Sequence, residues 1–143
     1  MTFSGKYMGT LWYGEGYPLA QRNSALTFEM QIEEADNWFT GVAMDTGGTG
    51  ASVDEAKVSG IINGIHIEFD KVYKRRHYDD GNGNTIYGKE EGFPIYYNGT
   101  YNEDTGFYEG SWEYPVYRRF WFFFKKRDSL GSGRFQLKKM EEE

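Results

Sequence analysis

Apolar and polar residues alternate along much of the chain, with a period of two residues. The segment SALTFEMQIEE shows this alternation most clearly, with apolar side chains at Leu26, Phe28, Met30 and Ile32. The segment IHIEFDKVY repeats it, with apolar side chains at Ile65, Ile67 and Phe69. Because successive side chains of a β-strand point to opposite faces, each segment is predicted to be a strand with one face in a core and the other in water.

The connections between the alternating segments are mostly short and carry turn residues. Asn63-Gly64 is a strong signal for a two-residue hairpin, and Gly106 ends the turn NEDTG. Short connections place strands that are neighbours in sequence beside each other in space, which predicts an antiparallel meander. The predicted strands are 5–13, 24–34, 37–45, 51–62, 65–74, 94–102, 106–115, 118–125 and 132–140.

Glycines recur inside these strands, two residues after an aromatic or aliphatic residue. The pattern occurs at Phe39-Thr40-Gly41, Val58-Ser59-Gly60 and Tyr97-Asn98-Gly99. A glycine inside a strand is costly unless the backbone bends or another segment approaches it closely. Such bending lets a meander close into a barrel, which removes its two exposed edges. The sequence therefore predicts an all-β fold, an antiparallel up-and-down barrel of eight to ten strands. The barrel is expected to be a single domain over residues 1–140, followed by an acidic tail at 141–143.

Two long connections interrupt the meander, at residues 14–23 and 75–93. Residues 15–23 are compatible with a short helix or a lid, and residues 75–93 are predicted to be irregular. Connections of this length in a compact domain often serve as lids or binding loops. The sequence leaves open whether the two lie at the same mouth of the barrel.

The composition narrows the class of protein. Aromatic residues make up 19% of the 143 residues, and the chain has no cysteine, which excludes disulfides, thiolate nucleophiles and cysteine-ligated metals. No apolar run approaches the roughly 20 residues of a membrane-spanning helix. The first residues lack the basic and then apolar pattern of a signal peptide. A cytoplasmic protein is therefore expected.

The net charge of −6 is unevenly distributed. Residues 1–117 carry a charge of −10, residues 118–140 carry +7, and the last three glutamates carry −3. The basic segment is interpreted as packing across the acidic body and neutralising it. Because the acidic body repels phosphates, no nucleic-acid partner is predicted.

The segment RRFWFFFKKR, residues 118–127, has five consecutive aromatic residues. In a single strand, Trp121 and Phe123 would lie opposite the three phenylalanines that complete the core. If Trp121 and Phe123 faced solvent, they would form an exposed apolar patch larger than monomers usually have. Three hypotheses remain open: a loop such as 14–23 covers the patch, two copies of the chain bury Trp121 and Phe123 in a homodimer, or the segment contacts an anionic membrane or stacks on nucleic-acid bases. The third hypothesis is the least favoured.

Several short motifs spread over most of the chain are typical of one group of small barrels. They are Gly9-Thr10-Leu11-Trp12, Phe39-Thr40-Gly41, Tyr97-Asn98-Gly99, Gly110-Ser111-Trp112 and Gly133-Arg134-Phe135-Gln136-Leu137. In these motifs the sequence resembles the calycin group, which comprises lipocalins, fatty-acid-binding proteins and avidin-like proteins. The resemblance implies a barrel of eight to ten antiparallel strands whose interior can hold one small apolar ligand.

The opening of the chain, with Gly9-Thr10, GEGYP at 14–18 and then Phe28, is also similar to the haem-binding barrels of the nitrobindin type. That resemblance implies an axial histidine from a late strand. The chain has two histidines, His66 and His77, and none beyond residue 77. Neither haem nor any other cofactor is therefore predicted.

The histidines and acidic residues give no motif of known chemistry. His66 lies between Ile65 and Ile67, which are expected to face the core, so His66 is expected to face water. His77, Asp79 and Asp80 carry donor atoms for a divalent cation, but their loop is glycine-rich and departs from the EF-hand pattern. It is interpreted as a flexible polar loop. No catalytic and no metal-binding residue is predicted.

The alternation that turns Ile67 and Phe69 inward also turns Lys71 and Tyr73 inward. Lys71 is expected to reach water at the barrel rim through its long stem. The alternatives are an ion pair with Asp45 or Glu113, or contact with the anionic head group of a ligand.

The leading hypothesis is non-catalytic binding of a small apolar or amphipathic ligand inside the barrel. One alternative is a filled barrel that acts through its aromatic surface, and another is an enzyme that uses residues 75–93 at the barrel mouth. A cavity below about 100 Å³ would exclude the leading hypothesis, because it is too small for a fragment-sized ligand. The candidate ligand-binding residues are Tyr13, Phe28, Met30, Phe69, Lys71, Tyr73, Tyr97 and Trp112.

Overall fold

The structure is a computed structural model that describes residues 3–119 and 125–141, with the backbone alone for 115–119 and 125–130. Eight of its strands form a closed antiparallel barrel, in the order β1-β10-β9-β8-β5-β4-β3-β2. The predicted all-β up-and-down barrel is thereby confirmed. Among the described residues, no helix is long and apolar enough to cross a membrane. The barrel strands are β1 Gly5–Tyr13, β2 Ala25–Ala35, β3 Trp38–Gly48, β4 Ala56–Asn63, β5 His66–Tyr73, β8 Ile95–Asn102, β9 Phe107–Arg119 and β10 Lys125–Lys139.

The strands follow the alternation that predicted them. In β2 the four apolar side chains named above are buried, at most 2% exposed, and their polar neighbours lie on the outer face. In β5, Ile67 and Phe69 are buried in the same way. Ile65 is an exception, because it lies in the turn before β5 and is 57% exposed. Its predicted place in the core was therefore wrong.

The predicted strand over 118–125 was also wrong. Arg119 ends β9 and Lys125 begins β10, and these two residues pair with each other in antiparallel register. The residues that flank the aromatic run therefore lie on different strands, which an unbroken apolar run gave no reason to expect. The aromatic residues 120–124, with the proposed interface residues Trp121 and Phe123, lie outside the described residues.

The ladder between β9 and β10 continues beyond the barrel wall. The pairing of β9 with β8 ends at Glu113, and the pairing of β10 with β1 ends at Gly133. The two strands then pair only with each other, from Gly131 and Tyr114 to Lys125 and Arg119. They form a two-stranded ribbon that contains most of the basic residues of segment 118–140.

All the long connections lie at one end of the barrel, here called the upper end. Because the strands run alternately up and down, the upper end holds the connections β1–β2, β3–β4 and β5–β8. The lower end holds three tight turns, at 36–37, 64–65 and 103–106. The two long connections predicted from the sequence therefore share one mouth.

Residues 75–93 are not irregular as predicted. They contain a small hairpin of β6 (His77–Asp79) and β7 (Thr85–Tyr87). Its turn is held by Asp80, whose carboxylate accepts hydrogen bonds from the backbone N–H groups of Asn82 and Asn84. These bonds lower the pKa of Asp80 and explain the DDGNGNT sequence as turn chemistry.

The middle of the barrel is filled by aromatic side chains. The rings of Phe69 and Tyr97 stack with centroids 4.5 Å apart, and Phe135 meets Tyr97 edge-on at 5.2 Å. Phe28 lies under Gly9, its partner on β1, where any Cβ atom would overlap the Phe28 ring. Gly9 is thus required for the core to hold a phenylalanine at position 28.

Three of the short motifs meet at the seam of β1, β10 and β9. The indole N–H of Trp112 donates to the carbonyl oxygen of Trp12 at 3.1 Å, and Gly133 lies against both groups. The guanidinium of Arg134 lies 5.2 Å from the centre of the Trp12 ring. The spaced glycine and tryptophan motifs therefore have a common structural role, which is to close the barrel.

Candidate functional site

A cavity of about 240 Å³ opens at the upper end, between the barrel wall and the long connections. This volume is larger than about 100 Å³, below which a fragment-sized ligand would not fit. Three of the predicted site residues line it: Tyr13, Tyr73 and Trp112. The other lining residues were not among the candidates predicted from the sequence. They are Leu11, Tyr17, Gln21, Leu26, Thr49, Gly50, His77, Tyr78, Asp79, Ile95 and Tyr114.

The other predicted site residues lie deeper. Lys71, Phe28 and Tyr97 are fully buried in the layer below this upper cavity. Met30 and Phe69 are buried too, but do not line the cavity. Met30 pairs with Tyr7, toward the lower end of β1. The structure therefore places three of the eight candidates in the cavity wall and the other five in the buried layers of the barrel.

The wall of the upper cavity is mainly aromatic. The Tyr13 hydroxyl donates to the carbonyl oxygen of Thr49 at 2.6 Å, and its ring meets Trp112 edge-on with centroids 5.7 Å apart. Tyr17, from the β1–β2 connection, packs on Tyr13 at 4.8 Å. Burial raises the pKa of both tyrosines, so their hydroxyls stay neutral.

The long connections cover the upper cavity and are joined to each other. The side-chain amide of Gln21 donates to Asp79 at 3.1 Å, which links the β1–β2 connection to the β6–β7 hairpin. His77 packs edge-on against Tyr73 at 4.6 Å, and its Nε2 donates to the carbonyl oxygen of Gly50 at 2.9 Å. The β1–β2 connection, the β3–β4 connection and the β6–β7 hairpin are therefore tied to the barrel and to one another around the cavity mouth.

Asp45 anchors one side of this site. Its carboxylate accepts the Tyr73 hydroxyl at 2.7 Å and the backbone N–H of Ser52 at 2.9 Å. Burial and the nearby Asp45 charge raise the pKa of Tyr73, so its hydroxyl is a permanent donor. Tyr73 is therefore fixed in the position where its ring separates the upper cavity from the layer below.

Lys71 is the unusual residue of that layer. Its side chain is 0% exposed, and Nζ lies 4.3 Å from the centre of the Phe28 ring, 5.1 Å from that of Tyr73 and 5.3 Å from that of Tyr97. Within the described part of the chain, Nζ has no hydrogen-bond partner, and the same is true of the Tyr97 hydroxyl. Burial lowers the pKa of Lys71 to about 8, against an opposing effect of the Asp45 charge.

The expectation that Lys71 reaches water at the rim was therefore wrong. Its end of β5 is covered by the connection that carries the β6–β7 hairpin, so the stem has no open path to solvent. The alternative ion pairs do not form either. Asp45 acts on Lys71 through its charge without a described ion pair, and Glu113 follows the inward-facing Trp112 and so belongs to the outer face.

We expect Asp45→Asn to lower the free energy of unfolding by about 1–2 kcal/mol, because the buried Tyr73 hydroxyl loses a charged acceptor. The same change removes the negative charge that favours the Lys71 ammonium, so the pKa of Lys71 should fall further. Denaturant unfolding and NMR titration of the lysine side chain measure the two effects. Asp36→Asn, in an exposed turn, serves as the control; equal effects of both variants would contradict the role given to Asp45.

Comparison of the chain with protein-family models, curated proteins and solved structures gave no significant match in any of the three. The eight-stranded barrel is compatible with the calycin-like resemblance. Membership of that group stays a prediction.

The remaining candidates lie elsewhere. His66 faces outward with 43% of its side chain exposed, 3.6 Å from the Glu68 carboxylate, as predicted. No group of three or more histidine, aspartate and glutamate side chains in the described residues is arranged to hold a metal ion. A second cavity, of about 560 Å³, opens at the lower end beside Tyr7 and Tyr108. The hydroxyl of Tyr7 is already satisfied there by the carbonyl oxygen of Phe3 at 2.7 Å.

Proposed function

We propose that this protein binds a small, partly apolar ligand in the upper cavity, without catalysing a reaction on it. The observation that carries the proposal is an aromatic-lined cavity whose wall residues Tyr73 and Trp112 adjoin two buried polar groups, Lys71 and Tyr97. Neither group has a hydrogen-bond partner among the described residues. Ligand sites are typically apolar pockets with a few polar groups that fix the orientation of the ligand.

The size of the upper cavity supports a ligand of fragment size. An apolar cavity of about 150 Å³ is enough for benzene, and the volume here is about 240 Å³. The middle of the barrel is filled by the Phe28, Phe69 and Tyr97 rings, so a long ligand that threads the barrel is not expected. A compact molecule with one ring or a short chain matches this shape.

The upper cavity is favoured over the lower one because of these polar groups. A buried donor without a partner costs about 1–3 kcal/mol or more, and a ligand that satisfies it regains part of that cost. Lys71 and Tyr97 supply such donors under the upper cavity. The fixed tyrosines Tyr13 and Tyr73 add an amphipathic wall.

We expect Thr49→Phe to abolish ligand retention, because the added ring fills the upper cavity while the backbone bonds of residue 49 remain. Native mass spectrometry tests this with purified protein incubated with a small-molecule extract of its own host. The wild type should retain a small molecule, and Thr49→Phe should retain at most one tenth as much. The matched control is Thr40→Phe, on the outer face of β3, which should behave as the wild type.

Two results would overturn the proposal. One is a wild type that retains nothing from the extract. The other is a retained molecule that Thr49→Phe and the wild type hold equally well, because that molecule lies outside the upper cavity.

A further inference from the structure

The amine of Lys71 combines three features that seldom occur together. It is completely buried, it has no hydrogen-bond partner among the described residues, and three aromatic rings surround it. An ion pair would make such a lysine structural, but none is formed with any described acidic residue. Buried lysines in apolar surroundings are the ones that proteins use as nucleophiles toward carbonyl groups.

Lys71 is also within reach of the upper cavity. Its partner in the β5–β8 ladder is Ile95, which lines the cavity, so the backbone of Lys71 lies at cavity level. The ring of Tyr73 both lines the cavity and lies 5.1 Å from Nζ. The amine thus lies beside the cavity, behind the Tyr73 ring, and a turn of its flexible four-carbon stem past that ring is the movement that capture of a ligand requires.

We propose that Lys71 is the covalent attachment point for an aldehyde or ketone ligand, whose apolar remainder occupies the upper cavity. This inference rests on the proposed function and names its ligand class. The neutral amine attacks the carbonyl carbon, a C–N bond forms, and the carbonyl oxygen takes a proton. That oxygen then leaves as water with the second amine proton, and a C=N bond remains; no oxidant or reductant is consumed.

The surroundings of Lys71 fit a neutral carbonyl better than a carboxylate. The titratable groups placed around Nζ are Asp45 on β3, Tyr73 on β5 and Tyr97 on β8. The Asp45 charge would repel a ligand carboxylate, and the aromatic faces offer an anion no donor. The unpartnered Tyr97 hydroxyl is available to donate a hydrogen bond to a carbonyl oxygen.

The protonation state of Lys71 adds support. With a pKa of about 8, the amine is neutral in roughly one molecule in ten at pH 7. An ordinary lysine is neutral in only about one molecule in three thousand at that pH. The larger neutral fraction should make Lys71 react with a carbonyl faster than exposed lysines, which carry the charge that blocks attack.

The test is reductive trapping with hydrocinnamaldehyde and cyanoborohydride at pH 7, followed by peptide mapping. We expect Lys71 to be labelled at least about ten times faster than the mean of the other eight lysines. The chain's α-amino group, which titrates near pH 8 in any chain, is mapped separately. In urea the preference for Lys71 should disappear, because it depends on the folded surroundings.

Two matched ligands separate this inference from the proposed function. Hydrocinnamyl alcohol has the same apolar part without a carbonyl and should slow the labelling of Lys71 by competition. If the alcohol binds in the upper cavity and Lys71 is labelled no faster than exposed lysines, covalent capture is wrong and ligand binding stands. If neither compound binds, both proposals fail.

Hydrocinnamate, the carboxylate analogue, addresses the remaining alternative. We expect it to protect Lys71 less well than the alcohol does. Protection by hydrocinnamate about ten times stronger than by the alcohol would overturn the inference, because Lys71 would then act as an ammonium that pairs with an anion. In the Tyr97→Phe variant, Lys71 should still be labelled, but several times more slowly, because the hydroxyl that donates to the carbonyl oxygen is missing.

Discussion

Replacing Lys71 by Met is expected to raise the free energy of unfolding at pH 7 by about 3 kcal/mol. The pKa of Lys71 falls from 10.5 to about 8 on folding, because burial disfavours the ammonium. A shift of that size corresponds to about 3 kcal/mol of differential stability between the two protonation states. Met has a similar shape and no charge, so the variant should keep the packing and lose the cost of burying an ammonium.

The sign of the pH dependence gives an independent check. Between pH 8 and 10.5 the folded wild type binds fewer protons than the unfolded chain, so its stability should rise with pH across this window. Below pH 8 both states are protonated and the full cost remains. Urea unfolding at several pH values, with Lys71→Met as reference, isolates this effect from the titration of the tyrosines.

Lys57→Met is the matched control, since Lys57 is exposed on β4. It should change the free energy of unfolding by less than about 0.5 kcal/mol, and it should keep the rise in stability that Lys71 causes between pH 8 and 10.5. A Lys71→Met variant that is as stable as the wild type, or less stable, would contradict the burial of an unpaired ammonium. A residue that lowers stability and is nevertheless present is most simply explained by a function, as the carbonyl chemistry proposes.

Gly110→Ala is expected to have a large destabilising effect, about 3 kcal/mol or more, enough to unfold much of a marginally stable domain. Gly110 pairs with Gly99 on the neighbouring strand β8. A Cβ atom at Gly110 would lie 2.6 Å from the Gly99 Cα and closer still to the carbonyl oxygen of Asn98. Both are backbone atoms, which cannot move without breaking the β8–β9 ladder.

Gly47→Ala provides the comparison, because it also adds a methyl group to a strand glycine. The nearest atom to its new Cβ would be the Thr27 hydroxyl, at 3.9 Å, and its φ is not in the left-handed region. Circular dichroism and thermal unfolding should show a folded Gly47→Ala protein and a mostly unfolded Gly110→Ala protein. A folded Gly110→Ala protein of wild-type stability would show that the two strands are not this close.

The sequence was sufficient for the barrel because each strand carries its own signal. The bounds predicted for β1 coincide with Gly5–Tyr13, and the strand glycines do mark close approaches, as at Gly41 and Gly60. Alternation depends on a strand having one wet face. It therefore gave no guidance for residues 118–125, where every position of the aromatic run is apolar.

The site could be predicted only in part, for a related reason. Tyr13, Tyr73 and Trp112 were found because they face inward on strands. Tyr17 and His77 come from long connections, whose paths are set by tertiary contacts such as Gln21 with Asp79. The alternation of the sequence correctly predicted that Lys71 points inward. It could not predict how deeply Lys71 is buried, because that depends on the connection that covers the end of β5.

The central claim, that the upper cavity is the ligand site, is tested most directly by titrating ¹⁵N-labelled protein with hydrocinnamyl alcohol and recording amide chemical shifts. We expect saturable shifts at residues around the upper cavity, such as Leu26, Thr49 and Tyr73, while the shifts of Gly64 and Gly106 at the lower end remain unchanged. Saturable shifts confined to the lower end, or shifts that grow linearly over the whole surface, would contradict it.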